Sequence, residues 1–405
     1  MTTLKIKKRS KCRICESGNL EKWIHLPDMP LTDDLRVGVD SPSFLYDIDI
    51  YVCLECGISQ TIHDIDYSLY YKDYAYSITN SQFAISFMNE LAEKTFQKFE
   101  LKKGTRVLEI GSSDGSQLLS FRKMGADVFG IEPSEILTKV SRERGIEVYT
   151  GLFDTDVIGK IPESFRNTDV ILLTYTFDHI PDPVNFLSTV KKILNPQKGL
   201  LIVEVHDLAQ IINKCEYCLF EHEHSIYLSL KTMNDLLNKS GFKIITDNLV
   251  PIHKRRGNSM LVVAADNNSE LVSELNEFPT FPDKEDLSKF NEKLKRGINR
   301  IESFIDTEIN ENRKIAGYGA GGRGVMTLAS LRNASQLEYL CDQNQSFHGK
   351  FLPKSKVPVK SIEELIDNPV DTLLVFSYGY MDEITKSIKS LPNAPQKIVS
   401  LIEVL

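Results

Sequence analysis

Two short segments, Glu221-His222-Glu223-His224 and Thr176-Phe177-Asp178-His179-Ile180-Pro181, hold the side chains best suited to moving a proton near pH 7. An unperturbed imidazole titrates at roughly pH 6.5, so most of it can accept a proton at neutral pH. The alternation of acid and histidine also invites a metal reading. In an extended segment, however, neighbouring residues point to opposite faces, so only two of the four share a side. A base with a carboxylate partner is the more economical reading, with Glu223 orienting His224 through the backbone turn. His179 is the rival base, but the adjacent Ile180-Pro181 suggests a rigid turn holding a hydrogen-bond donor. A tyrosine-rich run, residues 67–76, ends at Tyr76 and should reach the same place.

A second chemistry is metal ligation. Of seven cysteines, Cys12/Cys15 and Cys53/Cys56 form two C-x-x-C pairs. A two-residue gap lets both sulfurs of a pair face one ion, and Gly57 permits the tight turn after the last ligand. Four soft ligands close a tetrahedron around zinc and leave no open position, which predicts a structural site. The long separation between the pairs must be taken up by a loop. Cys215 and Cys218 make a third C-x-x-C, read as a pair of reduced thiols.

A third feature is the run Val107-Leu108-Glu109-Ile110-Gly111-Ser112-Ser113-Asp114-Gly115-Ser116, an apolar strand entering a glycine turn before a helix. A second strand ends on Glu132, whose two oxygens could accept from both hydroxyls of a ribose. Asp114 makes the loop acidic, which disfavours a pyrophosphate and suits a phosphate-free adenosine carrying an amino acid. This combination resembles the first motif of class I S-adenosylmethionine (SAM) methyltransferases. It implies cofactor contacts from Glu109, Gly111, Ser113, Asp114, Gly115 and Glu132. Further on, Gly317, Gly319 and Gly322 match G-x-G-x-x-G, with Asp342 about twenty residues later. Backbone N–H groups there, with Arg323, could meet a phosphate.

These residues need elements to position them. Strands at 106–110, 127–131, 147–149, 169–173 and 200–205 alternate with helices near 116–124, 134–144 and 184–194, predicting a parallel sheet covered on both faces. Strands 242–248 and 259–264 have only a loop between them and should pair antiparallel. Phe83, Phe87, Leu91 and Phe96 give a preceding helix. Residues 265–310 carry Leu287, Phe290, Leu294, Ile298, Ile301 and Phe304 at the spacing of one apolar helix face. The expected domains are a cysteine module over 1–75, a methyltransferase domain over 76–265, a connecting helix over 266–310 and a Rossmann-like α/β domain over 311–405. The 405 residues exceed what one core serves. A net charge of −8 argues against a dedicated nucleic-acid binder. The chain has no apolar run of membrane-spanning length and no signal peptide, so a cytoplasmic protein without membrane partners is expected.

Along nearly its whole length the chain resembles the sugar C-methyltransferases that act on nucleotide-linked 4-keto deoxyhexoses. The matching stretches are the four cysteines, Tyr74-Ala75-Tyr76-Ser77, Glu109 through Gly115, and Gly130-Ile131-Glu132-Pro133-Ser134. His179-Ile180-Pro181-Asp182, Glu223-His224 with Tyr227, Gly317-Tyr318-Gly319-Ala320, Asp342-Gln343-Asn344 and Gly349-Lys350-Phe351-Leu352-Pro353 complete the series. The resemblance implies a class I SAM core between a zinc module and a Rossmann-like substrate domain. It also implies His224 as base, Glu223 beside it, and His179 and Tyr76 as polar partners of a nucleotide-sugar substrate. Gly319, Gly322, Arg323 and Asp342 would hold the nucleotide, in a monomer or small homo-oligomer. The chain departs from the family at Glu221, where a tyrosine is usual, and near Tyr378-Gly379, where a Trp-Asn pair is usual. Its glycine loop also reads Gly-Gly-Arg-Gly. An O- or N-methyltransferase of a sugar or other small metabolite is the alternative, because the same base would serve a hydroxyl or amine. A zinc-ribbon protein binding nucleic acid through Lys5-to-Lys11 and Lys254-Arg255-Arg256 is a third.

Overall fold

A computed structural model describes residues 4–65, 81–257, 259–273 and 278–405. Seven strands form one sheet: β1 (Arg106–Ile110), β2 (Asp127–Glu132), β3 (Glu147–Thr150), β4 (Val170–Thr174), β5 (Leu200–His206), β6 (Phe242–Thr246) and β7 (Ser259–Asp266). Their order is β3-β2-β1-β4-β5-β7-β6. The first five are parallel, and β7 lies antiparallel between β5 and β6. Strand order reverses between β1 and β4, and open α/β sheets place ligands at the carboxyl ends beside such a reversal.

Alternate residues of these strands feed two cores. Leu108, Ile110, Ile171, Leu173, Leu201 and Val203 pack on one face. Val107, Val170, Leu172, Leu200 and Ile202 pack on the other with Phe87 and Leu91. The strands are therefore almost continuously apolar, as expected of a sheet covered twice. The covering helices include α1 (Gln82–Lys98), α2 (Ser116–Lys123), α3 (Glu135–Glu143), α4 (Pro183–Ile193) and α5 (Leu230–Lys239). Ser81 caps α1 and Ser134 caps α3, each accepting a backbone N–H from the first turn.

Residue contacts gather the chain into two compact units that cut across the linear order. One holds Met1–Glu21, Val52–Leu208 and His224–Phe281; the other holds Lys22–Tyr51, Ala209–Glu223 and Pro282–Leu405. Residues 22–51, between the two cysteine pairs, thus cluster with the C-terminal part of the chain. In the first unit, strand Ser59–Thr61 follows the second cysteine pair and runs antiparallel to Ile226–Tyr227. In the second, α6 (Lys284–Asn310) starts with a capping box of Asp283 and Asp286. It buries Leu287, Phe290, Leu294, Ile301 and Ile305, whereas Ile298 and Phe304 of the expected stripe are only half-buried. Strands β8 (Ile315–Tyr318), β9 (Leu340–Cys341), β10 (Val359–Lys360), β11 (Thr372–Val375) and β12 (Lys397–Ser400) form a parallel sheet ordered β10-β9-β8-β11-β12. Helix α7 (Gly322–Ala329) follows β8. Among the described residues no helix is long and apolar enough to cross a membrane.

Candidate active site

The two cysteine pairs fold into matching knuckles. In each, the residue after the second cysteine donates its N–H to the carbonyl of the first, Glu16 to Cys12 at 3.2 Å and Gly57 to Cys53 at 2.8 Å. Both adopt positive φ, 62° and 72°, although only Gly57 advertises this in the sequence. The sulfurs of Cys12 and Cys56 lie 3.6 Å apart, and those of Cys15 and Cys53 3.4 Å. All four fall within 4.8 Å of one another. A tetrahedral zinc with bonds of about 2.3 Å sets its sulfurs about 3.8 Å apart, so the donor set fits the ion. The Cys56 thiol, hydrogen-bonded to Cys12, holds the Cys12 thiol below its ordinary range against its burial. Zinc is a cofactor of this chain, bound by a domain without an open coordination position. Cys215 and Cys218 are free and buried, and burial pushes their thiols up to about 11 and about 12.

At the carboxyl end of β1 the chain turns at Gly111, whose φ is +74°. A Cβ there would sit 2.3 Å from Thr176 Oγ1, so only glycine lets the turn approach the segment after β4. Glu132, at the end of β2, is buried and reaches across this turn. Its Oε2 accepts from Ser113 N at 2.9 Å and its Oε1 from Ser134 N at 2.8 Å. Each oxygen keeps a lone pair for a ribose hydroxyl. Burial raises Glu109 to about 8, and Thr174 Oγ1 donates to its Oε1 at 2.9 Å. Its Oε2 is buried with no hydrogen-bond partner among the described residues. An orphaned carboxylate oxygen at the switch point fits the ammonium of an amino acid. Asp114 takes another place: it accepts from Ser116 N at 3.1 Å and pairs with Arg144 at 3.0 Å, fastening the start of α2. The loop's negative charge is therefore offset by Arg144.

Past β4, three imidazoles surround one carboxylate. Asp178 Oδ2 accepts from His206 Nδ1 at 3.0 Å and lies 3.9 Å from His224 Nε2. Asp178 Oδ1 lies 3.9 Å from His179 Nε2. The rings of His179 and His224 meet edge to face with centroids 4.9 Å apart, and His206 is 5.0 Å from His224. Burial would raise Asp178, but the neighbouring His224, the His206 hydrogen bond and His179 outweigh it and hold the carboxyl well below the usual range. Burial pushes His179 down to about 4 against the pull of Asp178, so it is neutral at pH 7. The backbone entering this segment is strained: Tyr175, a bulky residue, sits at φ 54°. Its hydroxyl donates to the Arg256 carbonyl at 2.9 Å.

The structure thus brings His179 and His224 together as expected and adds two groups to which the sequence reading gave no role, Asp178 and His206. Glu221-His222-Glu223 is not an extended strand, so the alternation argument does not apply to it. His222 Nε2 donates to the Met29 carbonyl at 2.9 Å. Glu223 Oε1 accepts from Thr32 N at 3.3 Å and Thr32 Oγ1 at 3.2 Å. Tyr76 lies outside the described residues. Arg256, expected on a basic surface, is buried and paired with Glu204, over the rings of Phe87 and Tyr175.

In the second unit Asp342 repeats the arrangement of Glu132. Its Oδ2 accepts from Ala320 N at 2.7 Å and its Oδ1 from Asn344 N at 2.8 Å. Gly319 is at φ +102°, and Gly322 opens α7. A Cβ on Gly322 would meet Glu221 Oε1 at 2.7 Å, so a carboxylate already sits against the loop where a phosphate was expected. Arg323 stacks on Tyr378 and donates to its hydroxyl at 3.1 Å, and that hydroxyl in turn bonds to Glu216.

Comparison with known proteins matches three family models in succession: "Putative zinc binding domain" over residues 12–71, "Methyltransferase domain" over 82–247 and "C-methyltransferase C-terminal domain" over 259–402. The C-methyltransferase NovU of Streptomyces niveus is 26% identical over 406 residues, covering 97% of this chain and 96% of its own. A ubiquinone biosynthesis O-methyltransferase of Rhodopseudomonas palustris (strain TIE-1) is 24% identical over 123 residues, 29% of this chain and 48% of its own. Among solved structures, the PH0226 protein of Pyrococcus horikoshii OT3 aligns at a TM-score of 0.38 and 18% identity, over 49% of this chain and 98% of that one. The plantazolicin methyltransferase BpumL in complex with SAH aligns at 0.36 and 16% identity, over 46% and 84%. With the three models matched in succession, the chain is a SAM-dependent methyltransferase whose class I methyltransferase domain lies between a zinc-binding domain and a domain of the C-methyltransferase C-terminal type.

Proposed function

We propose that this protein C-methylates a nucleotide-activated keto-deoxysugar, with His224 taking a proton from the carbon beside the ketone. The observation that carries the reading is the buried Asp178 facing His224, His179 and His206, one turn from the Gly111 loop. His224 Nε2 would accept the α-proton, and Asp178 would offset the imidazolium charge that follows. Neutral His179 suits a donor to the enolate oxygen, whose stabilisation must supply several kcal/mol because such carbon acids barely ionise at pH 7. Glu132 would hold the ribose of SAM and Glu109 its ammonium, while bound SAM supplies an electrophilic methyl to the carbanion.

The C-terminal unit would take the nucleotide, with Asp342 on ribose hydroxyls and Arg323 on the diphosphate. Glu221 beside Gly322 favours a substrate that presents an amino group or a hydroxyl donor there. A panel of nucleotide keto sugars with labelled SAM tests the reading, together with solvent deuterium exchange at the α-carbon in the absence of SAM. Exchange that needs the keto group and disappears in His224→Asn is the expected result. Methylation of substrates without a ketone, with no exchange, would favour O- or N-transfer instead.

A further inference from the structure

Arg13 lies between the zinc ligands Cys12 and Cys15, and its side chain is fully buried. Its Nη1 donates to Asp64 at 2.6 Å and to the carbonyl of Pro181 at 2.9 Å. Nε and Nη2 donate to the Thr61 carbonyl at 3.2 and 3.0 Å, and Nη2 also reaches the His63 carbonyl at 3.2 Å. The backbone N–H of Arg13 donates to Gln60 Oε1 at 2.9 Å. One side chain therefore ties three segments together: the first knuckle, the strand after the second knuckle, and the turn that carries His179.

That strand is also the support of His224. Thr61 N donates to the Ser225 carbonyl at 3.1 Å, and Thr61 Oγ1 lies 3.4 Å from the His224 carbonyl. Ile226 pairs with Gln60 in an antiparallel ladder. Ser225 N donates to the Asp178 carbonyl at 2.8 Å, closing the ring of contacts around the imidazoles. A buried, multiply bonded guanidinium is a rigid fork, and its planar donors fix several carbonyls at once in a way a flexible ammonium does not.

We propose that Arg13 is a positioning residue for the His179–His224 pair, and that zinc binding sets the geometry of these imidazoles through it. Zinc closes the knuckles and so fixes where Arg13 enters; Arg13 then fixes the Pro181 turn and the Ser59–Thr61 strand, and with them both rings. The inference rests on the reading of His224 as base only for its kinetic arm.

The test compares Arg13→Lys and Arg13→Met in the full-length protein, both checked for zinc content, melting temperature and SAM affinity. Each sample then gives kcat, KM and the imidazole Cε1–H resonances of His179 and His224, assigned with His→Asn variants. The expected result for Arg13→Lys is one zinc per chain, SAM affinity within twofold of wild type, shifted His179 and His224 resonances, and a tenfold or greater loss in kcat. Arg13→Met should be worse in kcat. Unchanged resonances and kcat in a zinc-loaded variant would overturn the proposal. So would a kcat loss that merely tracks the loss of folded, zinc-bound protein. Should Arg13→Met fail to fold, the lysine variant decides. Shifted resonances beside an active His224→Asn would leave Arg13 as the organiser of the cluster and remove His224 as the base.

Discussion

At the scale of single residues, two ionisable groups carry distinct expectations. His224→Asn should lower the methylation rate by roughly two or more orders of magnitude with SAM affinity retained, read by single-turnover kinetics and calorimetry. A near-normal rate, beside a dead His179→Asn, would transfer the role to His179. Glu109 offers a pH signature. Unfolded, its carboxyl ionises at roughly pH 4.3; folded, burial keeps it protonated up to about 8. The unfolded chain then binds fewer protons across that window, so stability falls as pH rises through it. Glu109→Gln should therefore raise the melting temperature of the SAM-free protein at pH 8 and leave it nearly unchanged at pH 4.5. An ammonium arriving at Glu109 should also drive off its proton. Calorimetry at pH 7 in buffers of different ionisation heat should report proton release on SAM binding in wild type and less in Glu109→Gln. Equal release in both would place the ammonium elsewhere.

At the scale of elements, the turn after β1 and the knuckles are the sensitive joints. Gly111→Ala brings a Cβ within 2.3 Å of Thr176 Oγ1 at a φ of +74°, so the turn or the segment after β4 must move. A loss of about 1–3 kcal/mol in unfolding free energy is expected, with weaker SAM binding, checked by denaturant melts and calorimetry. Wild-type SAM affinity in this variant would mean that the turn does not touch the cofactor. Metal analysis should find one zinc per chain, and Cys53→Ser should lose it along with stability, because the ion contributes folding energy. The presence of these elements was largely legible in the sequence. Strand, glycine turn and helix around Gly111 are specified by ten consecutive residues, and each C-x-x-C by four. The positive φ of Glu16 was not legible, since nothing in a glutamate announces it.

At the scale of the whole molecule, residue contacts gather the chain into two compact units, each drawn from three separate stretches of sequence. The lone tryptophan makes this measurable. Trp23 packs edge to face on Phe220 with centroids 5.5 Å apart, lies 5.6 Å from Phe290, and donates its indole N–H to the Leu287 carbonyl at 2.6 Å. All four residues fall in the unit that ends the chain. A cut at 311 would fall inside that unit, whereas a cut at 282 follows its edge. Deleting 282–405 should expose Trp23 and shift its emission to the red, while SAM binding persists because Glu109, Gly111 and Glu132 belong to the other unit. An unshifted emission would mean that Trp23 is buried without α6.

What the sequence determined by itself is what contiguous residues can specify. The alternation of strands and helices, the antiparallel pair at the end of the first sheet, the four zinc ligands and the acidic residue closing each nucleotide-type turn were all set by local pattern, because propensity, turn chemistry and ligand spacing act over a few residues. The tertiary structure alone decided which carboxylate meets His224, since Asp178 reaches it from 46 positions away through the order of β4 and β5. It alone brought Arg13 to Pro181 across 168 positions. It alone set Glu221 against Gly322 and turned Arg256 inward to Glu204. Such pairings depend on burial and close packing of side chains distant in the chain, and burial also decides whether a carboxyl such as Glu109 holds its proton.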